Sequence, residues 1–354
     1  MVFEFTIRKY TYMFSTMAIA VAIGSGGDNG GSGVTSGVSS SVEAAASRDC
    51  KNLKENGTNR IKSWKKTDKQ NIWELSGLYE GDIMTTEEDE IKNGLIKTAF
   101  RWPGGVVPYY IKEEDFGNLS YINKACSIKL IKGSHLIIVD EEDIEVIKNA
   151  IEDYHENTCI RFRPYKKSDN DYITIEAKSS GCWSLVGRHD HGQVVNLQNP
   201  GCVQHGVIIH ELMHALGFYH QQSAADRDEW VAINWENIKP DSILIAFVLL
   251  DDYSGREHNF NKYDNRTVTD YGIGYDYDSI MHYSSYAFSK NGEPTITPKK
   301  KNVKLGQRKE FSEKDTLKLR EMYKEECGKR EMNGTADNNS MDDISIEWIL
   351  SKKL

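Results

Sequence analysis

His210-Glu211-Leu212-Met213-His214 sets two imidazoles four residues apart with a carboxylate between them. On a helix, residues at i and i+4 share a face, so His210 and His214 can reach one metal ion together. Glu211 projects beside them and can take a proton from a water molecule at that metal. Gly217 can end the helix in the left-handed conformation that a side chain disfavours. The chain then turns sharply, and His220 can supply a third nitrogen ligand. Three protein ligands leave one position of a tetrahedral zinc ion open, which marks a catalytic rather than a structural zinc.

The residues that follow narrow the reading. His220-Gln221-Gln222-Ser223-Ala224-Ala225-Asp226-Arg227-Asp228 leads into Val231-Ala232-Ile233-Asn234-Trp235-Glu236-Asn237-Ile238, and Ser279-Ile280-Met281-His282-Tyr283 comes later. Upstream stand Arg101-Trp102-Pro103-Gly104-Gly105-Val106-Val107-Pro108-Tyr109, Asn157-Thr158-Cys159-Ile160-Arg161-Phe162 and Gly181-Cys182-Trp183-Ser184. Leu305-Gly306-Gln307-Arg308 and the stretch from Tyr323 to Cys327 close the region. Over roughly 93–327 the chain resembles the astacin family of metzincin zinc endopeptidases. The resemblance implies one Zn2+ per subunit on His210, His214 and His220, with Glu211 as general base. It implies that Met281 forms an apolar floor under the imidazoles and that Tyr283 donates a hydrogen bond to the oxyanion of the tetrahedral intermediate. It also implies disulfides from Cys159 to Cys327 and from Cys182 to Cys202, leaving Cys50 and Cys126 unassigned. Protein or peptide substrates are expected to bind extended in a cleft between two halves, pairing with a sheet edge.

The chain departs from the family at several points. Gln221 stands where relatives usually carry a glutamate thought to meet the buried mature N-terminus, and a neutral amide does so more weakly. Ala224 replaces a common arginine. Segments 117–139 and 241–254 have no family counterpart, and removing each joins plausible family sequence; both read as errors of conceptual translation such as retained introns. The second holds eight consecutive apolar residues, Ile243 to Leu250, an interaction or aggregation liability on a surface loop.

Composition bounds the rest. With 354 residues there is room for one catalytic domain plus appendages. A net charge of −9 argues against a nucleic-acid partner. Arg8 and Lys9 precede an apolar run from Met13 to Ile23, with Ala20-Val21-Ala22 as a small-residue cleavage site. Residues 1–22 therefore read as a secretory signal, too short for a stable membrane span. Six cysteines agree with an extracellular, disulfide-forming location, although they leave the connectivity open.

Residues 23–92 read as a propeptide that begins with a glycine- and serine-rich linker. Within it, Leu78-Tyr79-Glu80-Gly81-Asp82-Ile83-Met84 resembles the family's propeptide motif, and Asp82 is then the latency switch, its carboxylate standing where catalytic water is needed. The alignment of Trp102 puts the mature N-terminus near Asn93, and Lys92 before it suits an activating trypsin-like protease. Residues 328–354 read as a polar tail. Asn265-Arg266-Thr267 and Asn333-Gly334-Thr335 are glycosylation patterns. Lys299, Lys300 and Lys301 read as a solvated charge run.

Strands are expected over Val106–Ile111, Cys159–Pro164 and Asp171–Ala177 from their β-branched and aromatic content. Ile144, Ile147, Ile151 and Tyr154 recur on one face of a helix over Glu142–Asn157. Val207–Leu216 is the active-site helix, and Ser312 opens a C-terminal helix whose apolar positions are Leu317, Leu319 and Met322. The fold expected is α+β: a two-lobed metzincin domain with a mixed sheet, an active-site helix and an irregular C-terminal half. The alternative is a catalytically inactive zinc-binding or adhesion protein of the same fold, against which the intact Glu211 and Tyr283 speak.

Overall fold

Ile173 and Ile175 are fully buried while Thr174 and Glu176 are half-buried, the period-two pattern of a strand with one face on a core. In the computed structural model, which describes residues 59–85, 98–116, 127–131, 135–139, 141–239, 256–264 and 269–334, this strand is central. In chain order the elements are β1 (Val106–Ile111), β2 (Ser127–Ile131), β3 (His135–Val139), α1 (Glu141–Asn157), β4 (Arg161–Pro164), β5 (Ile173–Glu176) and β6 (Cys182–Ser184). β7 (Gln193–Leu197), α2 (His205–Ala215), β8 (Val231–Ile233), β9 (Ile296–Pro298) and α3 (Glu313–Gly334) follow. A five-stranded sheet has the order β4-β1-β5-β7-β6; all its pairs are parallel except β6 with β7, so β6 is an antiparallel edge. The sheet is mixed and the domain α+β, as expected.

The predicted elements hold with shifted ends, each for a local reason. β4 starts at Arg161, since the Thr158 hydroxyl accepts the Ile160 N–H (3.0 Å) in the turn that closes α1. β5 starts at Ile173, because the Asp171 carboxylate is taken by Arg188 and by the His191 N–H. Ile144, Ile147, Ile151 and Tyr154 do form the buried face of α1, and full burial of each such side chain is worth about 1.5–3 kcal/mol. Tyr154 also ties α1 to the active-site helix, its hydroxyl donating to the Ile209 carbonyl at 2.7 Å.

α3 opens with a reciprocal cap: Ser312 Oγ accepts the Asp315 N–H (2.9 Å), and the Asp315 carboxylate accepts the Ser312 N–H (3.0 Å). One expectation for this helix fails. Leu317 is 38% exposed, whereas Lys318 is only 5% exposed. The buried stripe runs through Asp315, Lys318, Leu319, Met322 and Tyr323, because two polar groups on this face find partners in the loops beneath.

The region between α2 and α3 forms, in its described residues, short helical turns, among them Arg227–Trp230, and an antiparallel ribbon, β8 with β9, which the composition did not announce. Its own core gathers Val231, Ile238, Phe260, Tyr275, Tyr283, Phe288 and Ile296, separate from the main cluster around the sheet and helices. Both expected disulfides are formed, Cys159–Cys327 and Cys182–Cys202. The N-terminal stretch 59–85 packs tightly: Ile61, Ile72 and Trp73 are buried in the main core. Ile83 pairs in parallel with Ser184 of β6, Met84 N–H reaching Ser184 O (2.9 Å) and Ser184 N–H reaching Asp82 O (3.1 Å).

The signal segment, the linker, Cys50, the cleavage region around Asn93, Cys126, segment 241–254, Asn265 and the tail beyond 334 lie outside the described residues. Of segment 117–139, the described part forms the β2–β3 hairpin, paired Ser127 to Val139 through Ile131 to His135. Among the described residues no helix is long and apolar enough to cross a membrane.

Candidate metal centre

α2 is enclosed, its residues from Gly206 to Ala215 all buried. A buried helix end leaves carbonyls that need donors. Three neighbours supply them: Gly187 N–H reaches His214 O (2.9 Å), the Trp102 indole reaches Ala215 O (2.9 Å), and the Tyr323 hydroxyl reaches Leu216 O (2.9 Å). Gly217 follows with φ of +114°, and this turn frees the chain to bring His220 back toward the helix.

The three imidazoles meet as the spacing predicts. Ring centroids lie 4.8 Å apart for His210 and His214, 5.2 Å for His210 and His220, and 4.7 Å for His214 and His220. Each ring has its Nδ1 against an acceptor: Ile280 O at 2.9 Å for His210, Phe218 O at 2.6 Å for His214, and Glu80 Oε2 at 2.7 Å for His220. Those contacts assign the ring proton to Nδ1 and leave each Nε2 lone pair pointing inward. Two of these, on His210 and His220, are 3.3 Å apart.

Asp82 completes the cluster. Its Oδ2 is 3.0 Å from His210 Nε2, and its Oδ1 is 3.2 Å from His220 Nε2 and 3.4 Å from His214 Nε2. All four residues are buried, and their ligand atoms lie within 4.8 Å of one another. Gly81 makes this approach possible: at φ of +97°, a Cβ there would press against Glu74 Cα (3.1 Å) and the Phe288 ring (3.2 Å).

The donor set fits a zinc ion. Asp82 Oδ1 and His214 Nε2 are buried and face each other without a hydrogen bond, two electron-rich atoms that call for a cation between them. Nitrogen and carboxylate donors in a four-membered set suit tetrahedral zinc. Electrostatics agree. Burial favours the neutral acid at Asp82, yet the His220 and His214 imidazoles overcome it and hold the carboxyl well below its usual range. Burial also works against charge on His220, but Asp82 and Glu80 outweigh it and raise the ring to about 9, while His210 falls to about 4 through burial. An ionised Asp82 among three imidazoles is an arrangement that a divalent cation would balance.

Glu211 is buried, and neither carboxylate oxygen has a hydrogen-bond partner. Burial, then the Asp82 charge, pushes its carboxyl well above the ordinary range. Tyr283 is fully buried beside His220 (4.6 Å between rings), and its hydroxyl donates to Glu80 O at 2.5 Å. Met281 is buried; its carbonyl accepts the Gln221 N–H (2.9 Å), and Ser279 Oγ accepts the Met281 N–H (3.1 Å). Lys299 is partly anchored, its ammonium on the Asp228 carbonyl and its N–H on Trp230 O (2.8 Å).

Several participants were not found by sequence reasoning. Trp73 stacks on His210, 4.3 Å between centroids and 19° between planes. Glu74 accepts from the Ser284 N–H (2.6 Å) and hydroxyl (2.9 Å), pinning the N-terminal stretch beside Tyr283. Glu80 lies inside the motif that drew attention to Asp82, yet nothing in a lone glutamate there announces its contact with His220.

The family pattern described as Astacin, a peptidase family, matches residues 136–324. The chain belongs to the astacin family. This match starts within the atypical segment 117–139 and runs across 241–254. Among astacin relatives, the zinc metalloproteinase nas-13 of Caenorhabditis elegans is 49% identical over 177 residues, covering 50% of this chain and 36% of that protein. Seminal metalloprotease 1 of Drosophila melanogaster is 35% identical over 258 residues, covering 71% of this chain and 88% of that one. The solved hatching enzyme zinc-protease, high choriolytic enzyme 1 of Oryzias latipes, is 30% identical with a TM-score of 0.47, covering 69% of this chain and 98% of that one. The chain spans about a third to a half of the length of four of the C. elegans zinc metalloproteinases it matches.

Proposed function

We propose that this astacin is a secreted zinc endopeptidase, made as a latent proenzyme, that hydrolyses peptide bonds in proteins. One observation carries the reading: an N-terminal stretch delivers the Asp82 carboxylate into the point where three imidazole Nε2 atoms converge. His210, His214 and His220 would hold the zinc, with Asp82 as a fourth ligand in the latent form. Bound there, zinc supplies a Lewis acid that acidifies water and polarises the scissile carbonyl.

The chain's own groups do the rest. Once Asp82 has left, Glu211 takes the proton of the attacking water on its carboxylate and returns it to the leaving nitrogen, so the base is regenerated. Tyr283, released from Glu80 O, donates to the oxygen on which negative charge develops. In the uncleaved chain burial, then the carboxylates of Glu80 and Asp82, hold the Tyr283 hydroxyl well above its ordinary range, so it is a donor there. Met281 sits in the turn whose Ile280 carbonyl fixes the His210 ring. Cutting after Lys92 by a trypsin-like protease would release residues 23–92 and begin the mature chain near Asn93.

Peptide-library cleavage by the trypsin-treated, zinc-loaded protein tests this reading, beside Glu211→Ala and chelator controls. Cleavage lost in both controls is the expected result. No cleavage by folded, zinc-bound protein would instead support the inactive zinc-binding alternative.

A further inference from the structure

Two of the three inward-facing histidines are steadied by carbonyls of the catalytic unit, Ile280 O for His210 and Phe218 O for His214. His220 is not. Its Nδ1 is held by the carboxylate of Glu80, in the N-terminal stretch and two residues before Asp82. Glu80 is only 1% exposed, and each of its polar groups is occupied. Oε1 accepts from the Ser223 hydroxyl (3.1 Å), the N–H donates to Asn259 Oδ1 (2.9 Å), and the carbonyl accepts from Tyr283. Glu80 has φ of +46°, a left-handed conformation unusual for a residue with a side chain and kept here by that set of contacts.

A carboxylate on the far nitrogen of a metal-bound histidine fixes its tautomer, orients the ring and strengthens it as a donor. We propose that Glu80 is a metal-retention residue: the propeptide lends His220 the outer carboxylate that holds zinc in the latent protein, and activation takes it away. The proposal rests on the zinc and propeptide reading above. It differs from the role of Asp82, which reaches the metal position itself; Glu80 acts only through His220. Its consequence is that zinc is bound more tightly before cleavage than after, by two contributions that separate experimentally.

Zinc affinity of the full uncleaved chain, measured by competition with a chromophoric chelator, tests it in the wild type, Glu80→Gln, Asp82→Asn and the double variant. Glutamine keeps the shape of Glu80 and removes its charge. The expected result is a loss of roughly tenfold or more for Glu80→Gln, retained when Asp82 is already asparagine, since outer-shell partners of metal-bound histidines are worth about 10- to 100-fold in affinity. With cobalt in place of zinc, Glu80→Gln should also shift the visible ligand-field bands, a change that loss of a merely structural contact would not produce. Ser223→Ala, which removes the hydroxyl donor to Glu80 without touching the His220 contact, gives a second and smaller loss of affinity. Equal zinc affinity in wild type and folded Glu80→Gln overturns the proposal. So does a loss that vanishes in the Asp82→Asn background. Failure of the latency reading would look different: the uncleaved wild type would already hydrolyse peptide, whatever the zinc affinity of the variants.

Discussion

Lys318 of α3 donates a hydrogen bond to the Oε1 of Gln221, the residue directly after His220, at 2.5 Å. The pair lines a cavity of about 310 Å³ together with Ser279, Met281 and Asp315. Burial lowers the Lys318 ammonium below its ordinary range, and the carboxylates of Asp315 and Asp276 work the other way. Asp315 is already served by Ser279 Oγ, Ile280 N–H and Ser312 N–H, so the distinctive contact of Lys318 is the one to Gln221. Lys318→Met should leave the Gln221 amide oxygen buried without a donor and cost about 1–3 kcal/mol in chemical denaturation. An unchanged midpoint and slope would show that this contact contributes nothing.

Glu211→Gln keeps the volume of the side chain and removes the base. Turnover by the activated enzyme should fall by about 10²- to 10⁴-fold while bound zinc, measured by atomic absorption, stays at the wild-type level. Tyr283→Phe removes one hydrogen-bond donor and should lower kcat by about 10²- to 10³-fold with KM little changed. A fall in zinc content with either substitution would mean that these residues build the centre rather than act at it.

Asp82→Asn should make the uncleaved protein leaky. A neutral amide is a far poorer partner for a cation than a carboxylate, so water can compete for the position. Slow peptide hydrolysis before trypsin treatment, absent in the wild type, is the expected outcome. A strictly inactive uncleaved variant would place latency in the remaining contacts of the N-terminal stretch, those of Trp73, Glu74 and Glu80.

Glu74 gives a pH dependence with a definite sign. Burial raises its carboxyl to about 7, against the opposing hydrogen bonds from Ser284 and Asn71. In the unfolded chain it titrates near 4.5, so between about 4.5 and 7 the folded form holds more protons. Its contribution to stability is therefore complete below about pH 4.5 and is lost as pH rises through about 7. The full effect is on the order of 3 kcal/mol. Unfolding of the uncleaved chain at pH 4.5, 6 and 8 should show a slope that Glu74→Gln lacks; parallel curves for the two proteins would refute the assignment.

The meeting of the three histidines was legible in the chain because helical periodicity brings His210 over His214, and a glycine at Gly217 announces the turn that returns His220. Asp82 and the cysteine pairs were legible by resemblance. What escaped were contacts made between segments far apart in the chain. Trp73 on His210, Glu74 on Ser284 and Glu80 on His220 join residues more than 130 positions distant, and neither periodicity nor composition encodes such pairs. The misplaced burial of α3 has the same root: Leu317 is apolar yet faces outward, while Lys318 turns inward because Gln221 waits there.

The pairing of Ile83 with Ser184 bears on more than inhibition. β6 ends the sheet, and an uncovered edge presents unpaired N–H and carbonyl groups that any extended chain can join. In the uncleaved protein that edge is capped by the molecule's own backbone, through Met84 and Asp82. The stretch that carries Asp82 to the three imidazoles thus also covers the backbone of the sheet's open edge. Production of the domain without residues 59–85 should yield aggregate before it yields a working protease.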